Sequence, residues 1–196
     1  MKLPKVKLIP LGEKTSTGQK TDEKLILDLC HKSQLEDLGF FEPTTEHNLL
    51  RTIKNGKTWY VIENQERIKG IKKGQIIGVT SVHFNDYKHP SLLLRLAFPT
   101  LKGEIGRTII LPEFRGKGFS GASKEEIAKT AKRRKLNELH CVINKDNIAS
   151  IKAVEKAGFK HNALRSLLLN PLNKAKDTYR IEWERGPYIV YTRRLK

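Results

Sequence analysis

Between Thr108 and Lys135 the chain reads TIILPEFRGKGFSGASKEEIAKTAKRRK. A β-branched run ends at a proline, a basic glycine-rich loop follows, and a helical pattern takes over. Residues of these types at this spacing can hold a phosphate. Glycines let the backbone bend close to the anion, and the free N–H groups and positive dipole end of a helix start face it. Arg115 and Lys117 add cationic donors. Two familiar phosphate-binding designs fit only in part. Gly116, Lys117, Gly118, Phe119, Ser120 and Gly121 match G-x-G-x-x-G, but Pro112 to Arg115 separate the glycines from the strand, and the next acid, Glu138, opens the following strand instead of closing it. A Walker loop needs lysine where Ala122 stands, and that lysine carries its mechanism.

A third frame, R-x-x-G-x-S, takes in Arg115, Gly118 and Ser120 and suits an acyl-CoA pyrophosphate. Here the chain resembles the GCN5-related N-acetyltransferase (GNAT) family, whose signature is a strand ending V-x-P, then Q/R-x-x-G-x-G/A, then a helix. The matching residues run Ile110-Leu111-Pro112-Glu113-Phe114-Arg115-Gly116-Lys117-Gly118-Phe119-Ser120. A second family motif lies one helix and one strand downstream, as Asn147-Ile148-Ala149-Ser150 and Glu155-Lys156-Ala157-Gly158-Phe159. The resemblance covers about residues 58–160. Two positions depart from the pattern. Ser120 replaces the small final residue of the loop, and Val154 stands where many members carry a tyrosine that protonates the leaving thiolate. Tyr179, Tyr188 and Tyr191 are later tyrosines, and nothing in the sequence brings one of them to that place.

The resemblance implies acetyl transfer from acetyl-CoA, as cosubstrate, to an amine. It implies a loop from Arg115 through Gly116, Lys117, Gly118, Phe119 and Ser120 to Gly121 around the pyrophosphate. The backbone of Ile109, Ile110 and Leu111 would pair with the pantetheine arm as an added strand does, and an N–H near Ile110 would polarise the thioester carbonyl. Asn147 and Ser150 would reach the same arm, while Asn147 also suits a helix cap. In this family the strand before the loop splays from its parallel neighbour. Glu104 is the candidate general base, at the offset from Arg115 that histone-type members use. Strand alternation groups 104, 106, 108 and 110 on one face. His140 and Cys141, adjacent on a strand, point to opposite faces and do not suggest a nucleophile pair.

These residues need elements to position them. The chain of 196 residues suits one domain, 1–196, and a charged fraction of 30% is ordinary for a globular protein. KVKLIPL (5–11) reads as an edge strand. Asp22 caps a helix EKLILDLCHKS, and Thr45 caps a second that stops at Asn55-Gly56. TWYVIEN (58–64) and QIIGVTSVHF (75–84) form a hairpin, and GEIGRTIIL (103–111) leads into the loop. A helix is expected over about 121–134, with Glu125 and Glu126 in its first turn and KRRK in its last, as the helix dipole favours. ELHCVIN (138–144) is a strand and NIASIKAVEKAG (147–158) a helix. NALRSLLLN, TYRIEW and YIVYTRR read as strands, and SLLLRLAF (91–98) is ambiguous. The resulting class is α/β, a mostly antiparallel mixed sheet with a central parallel βαβ unit and flanking helices.

Composition narrows the partners. The net charge is +17, from 38 Lys and Arg against 21 Asp and Glu, which attracts polyanions and leaves nucleic acid or ribosome association open beside a merely solvated basic surface. No apolar run approaches the ~20 residues that span a bilayer, and the first residues lack the apolar segment of a secretory signal. Cys30 and Cys141 fit no metal spacing and no disulfide framework, so a cytoplasmic protein with reduced thiols and no metal is expected. Three readings follow: an N-acetyltransferase acting on a protein, peptide or polyamine-like amine; an acyltransferase-fold protein that modifies or binds nucleic acid; and a CoA-binding module without turnover. The acceptor half, about residues 22–57, 86–102 and 163–187, carries no recognised motif.

Overall fold

A computed structural model describes residues 2–34, 45–68, 70–84, 103–167 and 188–195. Seven strands form one sheet in the order β1-β2-β3-β4-β5-β7-β6. They are β1 (Val6–Pro10), β2 (Thr58–Asn64), β3 (Ile76–His83), β4 (Glu104–Ile110), β5 (Glu138–Asn144), β6 (Lys160–His161) and β7 (Tyr188–Arg194). Every pair is antiparallel except β4–β5. Among the described residues, longer helices flank it: α1 (Glu23–Gln34), α2 (Glu46–Lys54), α3 (Phe119–Arg133) and α4 (Ile148–Lys156). The expected α/β class, edge strand, hairpin and central parallel unit are all present.

Local chemistry accounts for the helix ends. Asp22 accepts from the Leu25 N–H at 2.8 Å and starts α1. Thr45 accepts from the Asn48 N–H, and Gly56 at φ +80° ends α2 after the Asn55 cap. Helix α3 begins at Phe119, two residues before the expected start, because Gly118 at φ +84° is itself its N-cap. That shift corrects the reading of Glu125 and Glu126, which lie in the second turn. Their charges are answered by side chains instead: Glu125 by Arg193 and Glu126 by Lys129. Lys132 and Arg133 do occupy the last turn.

The C-terminal region differs from expectation at one place. Residues 163–167 are helical, not strand. Asn162 caps this turn by accepting from the Arg165 N–H, a local bond that outweighs strand propensity. SLLLRLAF and TYRIEW lie outside the described residues.

The two faces of the sheet can be told apart by contact. Trp59 donates from Nε1 to Thr52 of α2, so α2 covers the face that Trp59 shares with its cross-strand partner Ser81. Arg193 of β7 reaches Glu125 of α3, and Tyr191 reaches Glu155 of α4, so α3 and α4 cover the opposite face. There Ile105, Ile127, Ala128, Ala131, Leu139 and Val154 are buried together. Burying each of the isoleucine, leucine and valine side chains contributes on the order of 1.5–3 kcal/mol, and each alanine less.

Candidate active site

Strands β4 and β5 pair at a single register position, Glu104 with His140, where the His140 N–H also donates to the Gly103 carbonyl at 3.0 Å. Beyond that point toward the loop, no ladder joins them among the described residues. The parallel pair therefore opens as a wedge, with the loop after β4 at its wide end.

A bulge shapes the wedge. Thr80 pairs with Thr108 and Val82 with Ile105, so three steps of β4 match two of β3. Cross-strand partners share a face, and alternation is thereby reversed within β4. Glu104 pairs with His83, whereas Thr108 pairs with Thr80, an odd number of residues away. Glu104 stands on the α2 face with Ile109, opposite Thr108 and Ile110. The expectation that 104, 106, 108 and 110 share one face is corrected by this extra residue. Glu104 has a histidine beside it on either neighbouring strand, His83 on β3 and His140 on β5. His140 is buried, and its Nδ1 lies 2.9 Å from the Gly103 carbonyl, which can only accept. Burial pulls its pKa below the usual imidazole value, while Glu104 pulls the other way. Cys141 lies on the opposite face in the core, where burial pushes its thiol up to about 12.

The loop has the conformation its glycines allow. Gly116 and Gly118 sit at φ +74° and +84°, where side chains are strained. A Cβ on Gly118 would press on Pro4 at 3.3 Å, whereas one on Gly116 would meet nothing within 4 Å. Arg115 does not extend into the loop. Its Nε donates to the Ile110 carbonyl at 3.0 Å and a terminal nitrogen donates to Ser33 of α1 at 2.8 Å, so it pins the end of β4 to α1. Lys117 curls back onto the Glu113 carbonyl at 2.7 Å. Phe119 is buried, so it offers a ligand only its backbone. Gly121 is buried between Leu3 and the Ala153 carbonyl of α4, where its small size permits close helix packing. Ile109, Ile110 and Leu111 are buried too, and the Leu111 N–H is taken by the Ile77 carbonyl.

Asn147 caps α4, its Oδ1 accepting from the Ser150 N–H at 3.0 Å. Val154 is fully buried in the core, so no polar group stands in place of the tyrosine. The Tyr191 hydroxyl donates to Glu155 at 3.0 Å, and burial raises its pKa. Three features were not anticipated from sequence: Ser33 as an anchor for Arg115, the packing of Leu3 and Pro4 on the loop, and Lys124. The last is buried in α3 with its Nζ 2.9 Å from the Ser120 hydroxyl. The i, i+4 spacing of Ser120 and Lys124 was a legible signal. Among the described residues, no group of three or more His, Cys, Asp or Glu side chains is arranged to hold a metal, and no helix is long and apolar enough to cross a membrane.

Comparison with known proteins agrees with this geometry. No curated protein sequence matches the chain. Solved structures share its fold. A Vibrio cholerae spermidine N-acetyltransferase, solved with CoA and spermine, superposes with TM-score 0.59 at 16% identity, over 97% of this chain and 96% of its own. An acetyltransferase from Thermus thermophilus superposes with TM-score 0.57 at 13% identity over 100% of both chains. The ribosomal L7/L12 alpha-N-protein acetyltransferase does so with TM-score 0.55 at 16% identity, over 97% of this chain and 94% of its own. The family model described as Acetyltransferase (GNAT) domain matches residues 23–160, well over half of the sequence. This chain belongs to the GNAT acetyltransferase family and is an acyltransferase of the N-acetyltransferase type.

Proposed function

We propose that the chain transfers the acetyl group of acetyl-CoA directly to a primary amine of a protein, a peptide or a small polyamine-like acceptor. The observation that carries this reading is the β4–β5 wedge, which closes at Glu104–His140 and opens toward a turn of two positive-φ glycines and a helix start. A pyrophosphate suits the turn from Arg115 to Gly121, and a thioester suits the wedge. Asn147 and Ser150, at the end of β5, line its other side. Glu104 takes the proton as the amine attacks the thioester carbonyl. The carbon–sulfur bond breaks, the acetyl group stays on nitrogen, and the thiolate leaves. With valine at 154, a donor other than the usual tyrosine supplies the thiolate's proton, and water in the open wedge suffices. Because Glu104 stands on the α2 face, the acceptor enters from that side.

The net charge of +17 bears on the acceptor. It repels a free polycation and favours an amine carried by a protein within an anionic assembly, such as one containing RNA. Isothermal titration of acetyl-CoA into the wild type and Gly118→Asp tests the cofactor half. Binding that is lost in the variant supports the reading, and equal binding removes the loop from the site. Acetyl transfer to a panel of peptide amines and polyamines tests the other half. Glu104→Gln should then lose ~10²–10⁴-fold in kcat while binding acetyl-CoA normally. A wild type that binds acetyl-CoA but transfers to none of the panel favours the module without turnover.

A further inference from the structure

A lysine is almost never fully buried unless it is paired. Lys124 is only 3% exposed, among the apolar side chains of α3 that face the sheet. Its Nζ donates to the Ser120 hydroxyl at 2.9 Å and approaches the Ser120 carbonyl at 3.4 Å. Among the described residues no carboxylate joins it. Glu125 is engaged by Arg193 of β7, Glu126 by Lys129, and Glu155 of α4 by the Tyr191 hydroxyl. The group on β5 whose charge would reach it is the Cys141 thiol, which is neutral in the working pH range. The cation also sits near the positive end of the α3 dipole, where a positive charge is disfavoured. Each of these effects is unfavourable in the free protein, and the charge of an anion bound at the start of α3 would offset them.

Ser120 shows how the two are connected. It lies in the first turn of α3, half-buried beside the glycine turn. Its hydroxyl oxygen accepts from Lys124, and among the described residues its own proton has no acceptor. We infer that Lys124 is a positioning residue for the cofactor's pyrophosphate: its buried ammonium fixes the Ser120 hydroxyl so that the hydroxyl proton is presented to a phosphate oxygen, and it adds a positive charge beneath the site. This rests on the acetyl-CoA reading above.

Burial holds the Lys124 pKa at about 8, so in the free protein the amine titrates in an accessible range. A bound pyrophosphate would return it to the charged form. Calorimetry at pH 8.5 in two buffers of different ionisation enthalpy reads this directly. Acetyl-CoA is the ligand because it has no free thiol. The wild type should take up about 0.8 proton on binding, and its affinity should fall about tenfold from pH 7 to 9. Lys124→Met should bind more weakly at pH 7, with no uptake and no dependence on pH in that range. Ser120→Ala should also weaken binding, and the double variant should be no weaker than Lys124→Met alone. Proton uptake that persists in Lys124→Met, or effects of the two substitutions that simply add, would overturn the inference. Wild-type binding with no uptake would remove Lys124 and leave the acetyl-CoA reading standing. A wild type that binds no acetyl-CoA would remove both.

Discussion

Replacing Lys124 with methionine should make the protein more stable at neutral pH, and by an amount that depends on pH in a calculable way. The ordinary lysine pKa of 10.5 falls to about 8 in the folded chain because burial disfavours the ammonium. At pH 7 the side chain is charged in both states, so the folded state carries the whole burial penalty, roughly 3 kcal/mol from the size of the shift. Above pH 8 the folded chain releases the proton while the unfolded chain keeps it. The unfolded state then binds more protons, and stability rises with pH. Between pH 7 and 9.5 this relieves about 2 kcal/mol. Cys141 acts in the opposite direction, since its folded pKa of about 12 exceeds the ordinary 9, but by only about 1 kcal/mol at pH 9.5. It is present in both proteins and cancels in their difference. Urea unfolding of both proteins at pH 7 and 9.5 is the assay. Lys124→Met should lead by a few kcal/mol at pH 7, and its lead should shrink by about 2 kcal/mol at pH 9.5. A variant less stable than wild type at pH 7, or a gap that does not change with pH, would refute the argument that the buried ammonium is uncompensated.

Arg115→Met should leave the Ile110 carbonyl and the Ser33 hydroxyl without their donor, lowering stability by about 1–3 kcal/mol. Because the same bonds hold the end of β4 against α1, acetyl-CoA affinity should fall with it. Unchanged melting and affinity would show that the contact is idle. The Arg193 bond holds the Glu125 carboxyl below its ordinary value, so its stabilisation is complete above pH 4.5 and is lost as pH falls through the folded pKa. The pair is partly exposed, so Glu125→Gln should cost only about 0.5–1 kcal/mol at pH 7 and flatten the acid limb of the stability curve. An acid limb identical to the wild type's would sink that assignment.

Much of the fold was legible because its signals are local. Caps such as Asp22 and Thr45 and stops such as Gly56 act within one turn, and structure follows sequence at each. The pairing of the two downstream motifs was legible for a similar reason: the loop after β4 and the N-x-x-S start of α4 are short stretches with their own geometry. What sequence left out depends on partners distant in the chain. The β4 bulge exists only relative to β3, and nothing in GEIGRTIIL states that Thr80 and Val82 will enclose three steps rather than two. Arg115 reads as a phosphate ligand in a basic loop, yet Ser33, far off in α1, captures it. Lys124 reads as one more lysine in a basic helix until the early start at Phe119 brings Ser120 into the first turn, one turn before it, where its hydroxyl takes the Lys124 ammonium.

The bulge changes what the strand can do. Without it, Glu104 would share a face with Thr108 and Ile110, and so with α3 and α4, which close that side of the sheet. Because the bulge absorbs the extra residue, Glu104 stands on the α2 face while Ile105 stays packed against the α3 core. A strand of seven residues thus keeps its C-terminal end oriented for the loop and presents its first residue on the other side of the sheet. A base that must meet an acceptor arriving opposite to the cofactor needs this reversal. Deleting Gly106 removes the extra residue, and the shortened strand then alternates regularly with Glu104 still opposite Thr108, on the α2 face. On the mechanism proposed here, a folded deletion variant should keep transfer and lose it on the further change Glu104→Gln, and turnover that survives Glu104→Gln would exclude Glu104 as the base.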